Sequence, residues 1–515
     1  MKNPAVFLIG TGPGDPGLMT VRGLDCLSRA DVVIHDHEVP ARLLKRARPG
    51  AELIDVGGGV RQQMAQDAIS LLLAEKARED KIVARLKRGD PFLFDHGGAE
   101  ALFLHEQRVP FEVVPGIPIG VGVPAYAGVP VTYPGGGDTV TLVRGYEDQS
   151  RTPPDIDWES LARLEGTVVC YAGPQQLPRI LETLLEKGWT PDEAAAVVYD
   201  GTLTSQQAVS GTIADVLCAV RDHPRRTPGT LVVGRVVGFR DHLRWFDARP
   251  LFGKRVLVTR PREQAAEMLD RLAVLGAEAV EAPMIRIEPP EDPTPLADAA
   301  SQAATFDWIV FTSGNAVEAF MAALLRDDRD VRALKGPRLC AVGSGTAEHL
   351  AHYGIKVDLV PAEFRAEAVL AALGANGSLE GQRILLPRAD IGRDVIGDGL
   401  RKAGVSVTDV VAYRTVLEDA QREGDPDIYR MLLDGEIDVV TFTSPSAVRN
   451  FAAIYGTEQT VDLLSRTVVA TIGPVTAEAA HQLGVEVDVQ PNSATITALV
   501  DAIAAYAARE RFASA

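Results

Sequence analysis

Two short stretches place hydroxyl side chains where a helix must begin, and chemistry is most readily built there. Thr441-Phe-Thr-Ser-Pro-Ser-Ala-Val-Arg-Asn-Phe451 follows the apolar run Asp438-Val-Val, and Val310-Phe-Thr-Ser-Gly-Asn-Ala-Val-Glu-Ala-Phe320 follows Asp307-Trp-Ile-Val. Each reads as strand, tight turn and helix start. Such a turn offers hydroxyls and backbone N–H groups at the positive end of a helix, which suits a carboxylate or a phosphate. The alternative for any single turn is that Thr312, Ser313, Ser444 and Ser446 only cap their own helices. A second pair of turns, Ala341-Val-Gly-Ser-Gly-Thr-Ala347 and Thr471-Ile-Gly-Pro-Val-Thr-Ala477, adds Thr346 and Thr476. Arg260 and Arg388, each just after a strand pattern, are the cations expected nearby.

The two pairs keep almost one offset: 131 from Thr312 to Thr443, and 130 from Gly343 to Gly473. That predicts an internal duplication, two similar α/β lobes whose matched turns face a ligand cleft. Glu288-Pro-Pro-Glu-Asp-Pro-Thr-Pro295 and Val410-Val-Ala-Tyr-Arg-Thr415 are expected to cross between the lobes. The strand and helix of 255–287 belong with the last segment, so lobe A is discontinuous (about 255–287 plus 416–515) and lobe B runs from about 288 to 415. Residues 244–254 form a linker with aromatic anchors, expected to dock one half of the chain on the other.

At 515 residues the chain has room for three or four domains, each with its own core. A net charge of −18 argues against nucleic acid and anionic membranes as partners. An anionic ligand must then be held by helix ends and a few arginines against the overall field. Cys26, Cys170, Cys218 and Cys340 are widely spaced, which predicts reduced core thiols in a cytoplasmic protein. Residues 113–137 are uncharged but contain Pro115, Pro118, Pro124 and Pro130, too many for a membrane helix. Met1-Lys-Asn-Pro runs directly into the strand-like Val6–Ile9, leaving no room for a signal peptide.

In residues 1–243, strand and helix patterns alternate through two expected lobes, about 1–134 and 135–243. Gly10-Thr-Gly-Pro-Gly-Asp-Pro16, Arg85-Leu-Lys-Arg-Gly-Asp-Pro-Phe-Leu-Phe94, Val113-Val-Pro-Gly-Ile117 and Pro124-Ala-Tyr-Ala-Gly-Val-Pro130 occur in that order. Together they resemble the tetrapyrrole methylases, most closely uroporphyrinogen-III C-methyltransferase, over nearly all of residues 5–240. The resemblance implies a two-lobed fold holding S-adenosylmethionine near Gly12, Pro13, Gly14, Asp15, Gly89, Asp90, Pro91, Gly116 and Ile117. It also implies a homodimer.

This chain departs from that family pattern at several polar positions. Arg88 stands where a glycine is expected, and His96 and Ala99 where an arginine and a glutamate are. His35-Asp-His-Glu38 keeps only the Asp of its segment, and Gly57-Gly-Gly59 lacks a Lys-Arg pair. Pro118-Ile119, Thr132-Tyr-Pro134 and Tyr171-Ala-Gly173 differ as well. These changes remove anion-binding groups that methylation of a polycarboxylate requires. His35, His37, His96 and His105 have no spacing that fixes a third ligand, so no metal site is expected.

Residues 255–515 resemble uroporphyrinogen-III synthase throughout. The matching stretches include Val258-Thr-Arg-Pro261, both Phe-Thr-Ser turns, Leu386-Pro-Arg-Ala-Asp390 and Ala412-Tyr-Arg-Thr415. That family is implied to close hydroxymethylbilane, a linear tetrapyrrole with acidic side chains, to uroporphyrinogen III. The last ring is inverted, water is lost and no cofactor is used. Departure of the terminal hydroxyl needs an acid, and Tyr413 on the return crossing is the candidate. Tyr413 could instead be a packed hinge residue. Arg260, Thr312, Ser313, Thr346, Arg388, Ser444, Ser446 and Thr476 are expected to hold the substrate. The leading expectation is a synthase carrying a methylase-like domain. Its rivals are a bifunctional synthase and methyltransferase, and a non-catalytic tetrapyrrole-binding or regulatory protein. A nucleotide-dependent oxidoreductase fails for want of a dinucleotide fingerprint.

Overall fold

In the computed structural model, the first strand, Val6–Gly10, sends Val6 and Leu8 into one apolar cluster and Phe7 and Ile9 into another. A strand buried on both faces belongs to a parallel sheet covered by helices. That sheet has five parallel strands in the order Glu52–Asp55, Val32–His35, Val83–Lys87, Val6–Gly10, Phe111–Val114. The structure describes residues 5–57, 64–134, 138–145, 155–163, 166–326, 328–361, 366–390, 395–418 and 425–513, so Gly58 and Gly59 lie outside the described residues.

The chain divides into two compact units: Met1–Val256 with Arg271–Ala279 and Ile503–Ala515, and Leu257–Asp270 with Val280–Ala502. The first unit contains a second, mixed sheet in the order Val140–Arg144, Thr167–Ala172, Gly229–Val233, Ala194–Tyr199, Gln207–Thr212. Residues of the expected linker pack within this unit, where Trp245 and Phe246 lie 4.9 and 4.7 Å from the Tyr126 ring. Arg240 there forms a buried 2.5 Å ion pair with Asp247.

The second unit has two lobes. In lobe B, Ile309 and Phe311 of strand Trp308–Phe311 enter one apolar cluster while Trp308 and Val310 enter another. This strand lies in a five-stranded sheet ordered Ile285–Glu288, Ser406–Leu417, Arg383–Ala389, Trp308–Phe311, Arg338–Ala341. Lobe A contains the parallel pair Val439–Phe442 and Val468–Thr471, part of a four-stranded sheet. The two crossings are themselves a ladder: Ile285–Glu288 pairs antiparallel with Ser406–Leu417, from Ile285↔Leu417 to Glu288↔Arg414. Arg414 clips them further, reaching Glu288 at 3.0 Å and Glu291 at 2.6 Å.

Several expectations need correction. Lobe B's sheet runs from Ile285 to Leu417, slightly wider than 288–415, because ladder pairing holds both crossings. Only Glu288 of the proline- and acid-rich stretch is in the crossing strand, and that stretch leads into the helix Thr294–Ser301. Cys26, Cys170 and Cys340 are buried, but Cys218 is exposed. Its helix, Ile213–Asp222, buries Ile213, Val216, Leu217 and Val220, and position 218 falls on the opposite face. Burial pushes the Cys170 and Cys340 thiols up to about 12, so neither is a thiolate at neutral pH. Among the described residues, no helix is long and apolar enough to cross a membrane.

Candidate functional site

The duplicated turns of the second unit are built identically from their flanking phenylalanines. Phe311 and Phe320 meet edge to face at 5.4 Å, and Phe442 and Phe451 do so at 5.6 Å. All four rings are fully buried, so each strand end is clamped to the helix that follows it. The turn between them is left with little freedom. Ser313 and Ser444 both adopt extended backbone, φ −158° in each, and head the helices Gly314–Leu324 and Pro445–Tyr455. Each hydroxyl accepts the N–H three residues on at 3.2 Å, which is capping. Ser313 Oγ also meets the Tyr413 hydroxyl at 3.1 Å, and Ser444 Oγ meets Ser446 Oγ at 3.0 Å.

Between the two lobes of this unit lies a cavity of about 610 Å³, lined by Arg260, Gln264, Ser313, Thr346, His349 and Ser444 among others. Arg260 is the decisive residue. Its Nη2 donates to Gln264 Oε1 at 3.2 Å, and Gln264 reaches Asn315 of the other lobe at 2.9 Å. Its Nε is buried and has no hydrogen-bond partner among the described residues. Burial lowers the guanidinium's pKa from its ordinary value, while Glu267 acts in the opposite sense. A buried donor without an acceptor is costly, and an incoming carboxylate relieves that cost with a charge-assisted bond.

The other expected residues are placed variously. Thr346 lines the cavity but gives its hydroxyl to the Val342 carbonyl at 3.2 Å. Thr476 is buried at the start of helix Pro474–His481, and Thr312 is not in the lining. Tyr413 and Ser446 are one hydrogen bond behind the wall, through Ser313 and Ser444. Arg388 is not in the lining, and its Nε lies 3.6 Å from Asp409. Sequence reasoning missed His349, whose Nδ1 meets Glu318 at 3.0 Å and whose ring lies against Gly314. A Cβ at Gly314 would come within 2.5 Å of that ring. The available signal was spacing: His349 follows Thr346 by three residues on one helix face.

In the first unit the three glycine turns meet at the carboxyl end of the parallel sheet. Gly12 and Gly89 have φ of +79° and +71°, and they exchange backbone hydrogen bonds of 3.2 and 2.8 Å. A Cβ at Gly116 would lie 2.1 Å from the Gly89 carbonyl, so only glycine allows this approach. A cavity of about 890 Å³ opens beside them, with Arg85 and Lys87 among its walls. Both cations are buried and share Glu100 Oε1, at 3.3 and 3.1 Å. Arg85 also pairs with Asp36 at 2.6 Å, and Lys87 with Asp95 at 3.0 Å. His37 meets Asp55 at 3.0 Å, and among the described residues no three His, Cys, Asp or Glu side chains gather as metal ligands.

The profile of uroporphyrinogen-III synthase HemD matches residues 266–501, and that of the tetrapyrrole (corrin/porphyrin) methylases matches residues 5–217. The porphyrin biosynthesis protein HemD of Ruminiclostridium josui is 34% identical over 503 residues, covering 97% of this chain and 98% of that protein. The chain belongs to the HemD family of porphyrin biosynthesis proteins. As in the two matched profiles, it joins a tetrapyrrole methylase domain to a uroporphyrinogen-III synthase domain. A second relative of this HemD-family chain is uroporphyrinogen-III C-methyltransferase of Bacillus subtilis, 34% identical over 72% of this chain and 76% of that one. Among solved structures, uroporphyrin-III C-methyl transferase from Thermus thermophilus, complexed with S-adenyl homocysteine, is 33% identical. It covers 45% of this chain and 98% of that one, with a TM-score of 0.40.

Proposed function

We propose that this chain closes hydroxymethylbilane to uroporphyrinogen III in the two-lobed cavity of its second unit, without a cofactor. The observation that carries the reading is the buried Nε of Arg260, without a hydrogen-bond partner among the described residues, in a cavity flanked by duplicated helix starts. The carboxylates of a linear tetrapyrrole suit that donor and the helix N-termini. Holding both ends of the chain in one cavity brings the reacting carbons together, a gain in proximity that needs no strong acid. Tyr413 supplies the proton that leaves with the terminal hydroxyl as water, passing it through the Ser313 hydroxyl that lines the cavity. A methyltransferase reading for the first unit is supported by the matching methylase profile and the Bacillus relative.

A product assay decides between them. Freshly generated hydroxymethylbilane is supplied with and without S-adenosylmethionine, and the porphyrin isomers are resolved after oxidation. The type III isomer is expected without cofactor. Type I alone, at the spontaneous rate, would remove the synthase reading. Methylated product that needs the cofactor would establish the second activity. Tyr413→Phe should lower turnover by about 10²-fold with the unfolding temperature unchanged. Unaltered turnover would strip Tyr413 of the acid role.

A further inference from the structure

The residues that the methylase resemblance assigns to S-adenosylmethionine sit in three turns, and several of their polar groups bond to the protein itself. Gly12 and Gly89 bond each other, and the Gly116 N–H goes to Asp90 Oδ2 at 3.1 Å. Asp15 takes the Tyr126 hydroxyl at 2.7 Å and the Gly17 N–H at 2.8 Å. The Gly120 N–H, beyond the third turn, goes to the Tyr171 hydroxyl at 2.6 Å. The Pro13 carbonyl accepts Arg88 Nε at 3.1 Å. At its far end Arg88 reaches Glu38, 3.5 Å away. Arg88 lines the 890 Å³ cavity, whereas none of Gly12, Pro13, Gly14, Asp15, Gly89, Asp90, Pro91, Gly116 and Ile117 does.

We propose that Arg88 is a built-in plug, standing between the glycine turns and the cavity and excluding S-adenosylmethionine from the first unit. A glycine at this position would leave the Pro13 carbonyl and the space beside it open. The arginine fills that space with a planar, permanently charged group pinned at both ends. The residues present therefore do not fit the cofactor that the fold family implies. This inference concerns the first unit alone and is independent of the synthase reading.

Calorimetric titration of the full chain with S-adenosylmethionine and with S-adenosylhomocysteine, which lacks the sulfonium charge, tests the plug. The unaltered protein is expected to bind neither. Arg88→Gly and Arg88→Ala are each expected to gain affinity for both, by about tenfold or more. Glu38→Gln, which frees the distal end while keeping the arginine, should move in the same direction by less. Saturable binding of either compound to the unaltered protein would overturn the proposal. So would a folded Arg88 variant, with unchanged unfolding temperature and synthase turnover, that still binds neither.

Discussion

Glu100→Ala is expected to lower the stability of the first unit by about 1.5–3 kcal/mol, because Arg85 and Lys87 lose the carboxylate they share and keep only Asp36 and Asp95. Each of those cations is only 1% exposed, and Glu100 is 0% exposed, so water cannot replace the lost partner. Burial alone would raise the Glu100 carboxyl, but attraction from Arg85 and Lys87 outweighs it and holds the group below its ordinary value. The stabilisation is therefore present above the unfolded value, 4.5, and is lost as pH falls through the lower folded value. Asp95 behaves oppositely: burial raises it despite Lys87, so its ionised form costs stability until pH falls through the raised value. Denaturant unfolding from neutral pH into acid checks both signs. Glu100→Gln should flatten the acid limb, and an unchanged midpoint in Glu100→Ala would show that Arg85 and Lys87 are held by other groups.

Arg260→Ala is expected to raise the synthase KM by about 10–100-fold, the equivalent of about 1.5–3 kcal/mol for a hydrogen bond to a charged group. The removed group is a buried donor in the cavity wall with no hydrogen-bond partner among the described residues, so a substrate carboxylate loses a charged donor. Arg260→Lys should recover only part of the loss, since an ammonium lacks the flat fork that matches a carboxylate. Arg388→Ala is the internal control. Its guanidinium faces Asp409, so KM should stay within about twofold. Equal losses in both variants would mean that overall charge, and not placement, holds the substrate.

The doubled Phe-Thr-Ser turns were legible in the sequence because spacing and turn chemistry act locally, and their matched φ values repeat that logic in space. The repetition extends further than the hydroxyls. Asp358 caps the Leu339 N–H at 2.7 Å and Asp488 the Val469 N–H at 2.8 Å, 130 residues apart, in loops with no motif to draw notice. What the sequence hid was direction. Thr346 gives its hydroxyl to the Val342 carbonyl, Arg388 lies against Asp409, and Arg88 reaches the Pro13 carbonyl, because each polar group finds a partner within the protein. His349 escaped notice because its value lies in a neighbour on another helix, Glu318, and in the bare Gly314 beneath it.

The paired crossings carry a consequence for how lobe B could have arisen. Its first and last ladder residues, Ile285 and Leu417, are register partners, so the segment enters and leaves lobe A through one doorway. A piece of chain whose ends already touch can be spliced into a surface loop of its twin without stretching either. One copy of a single ancestral lobe, inserted into another, yields this arrangement in one step.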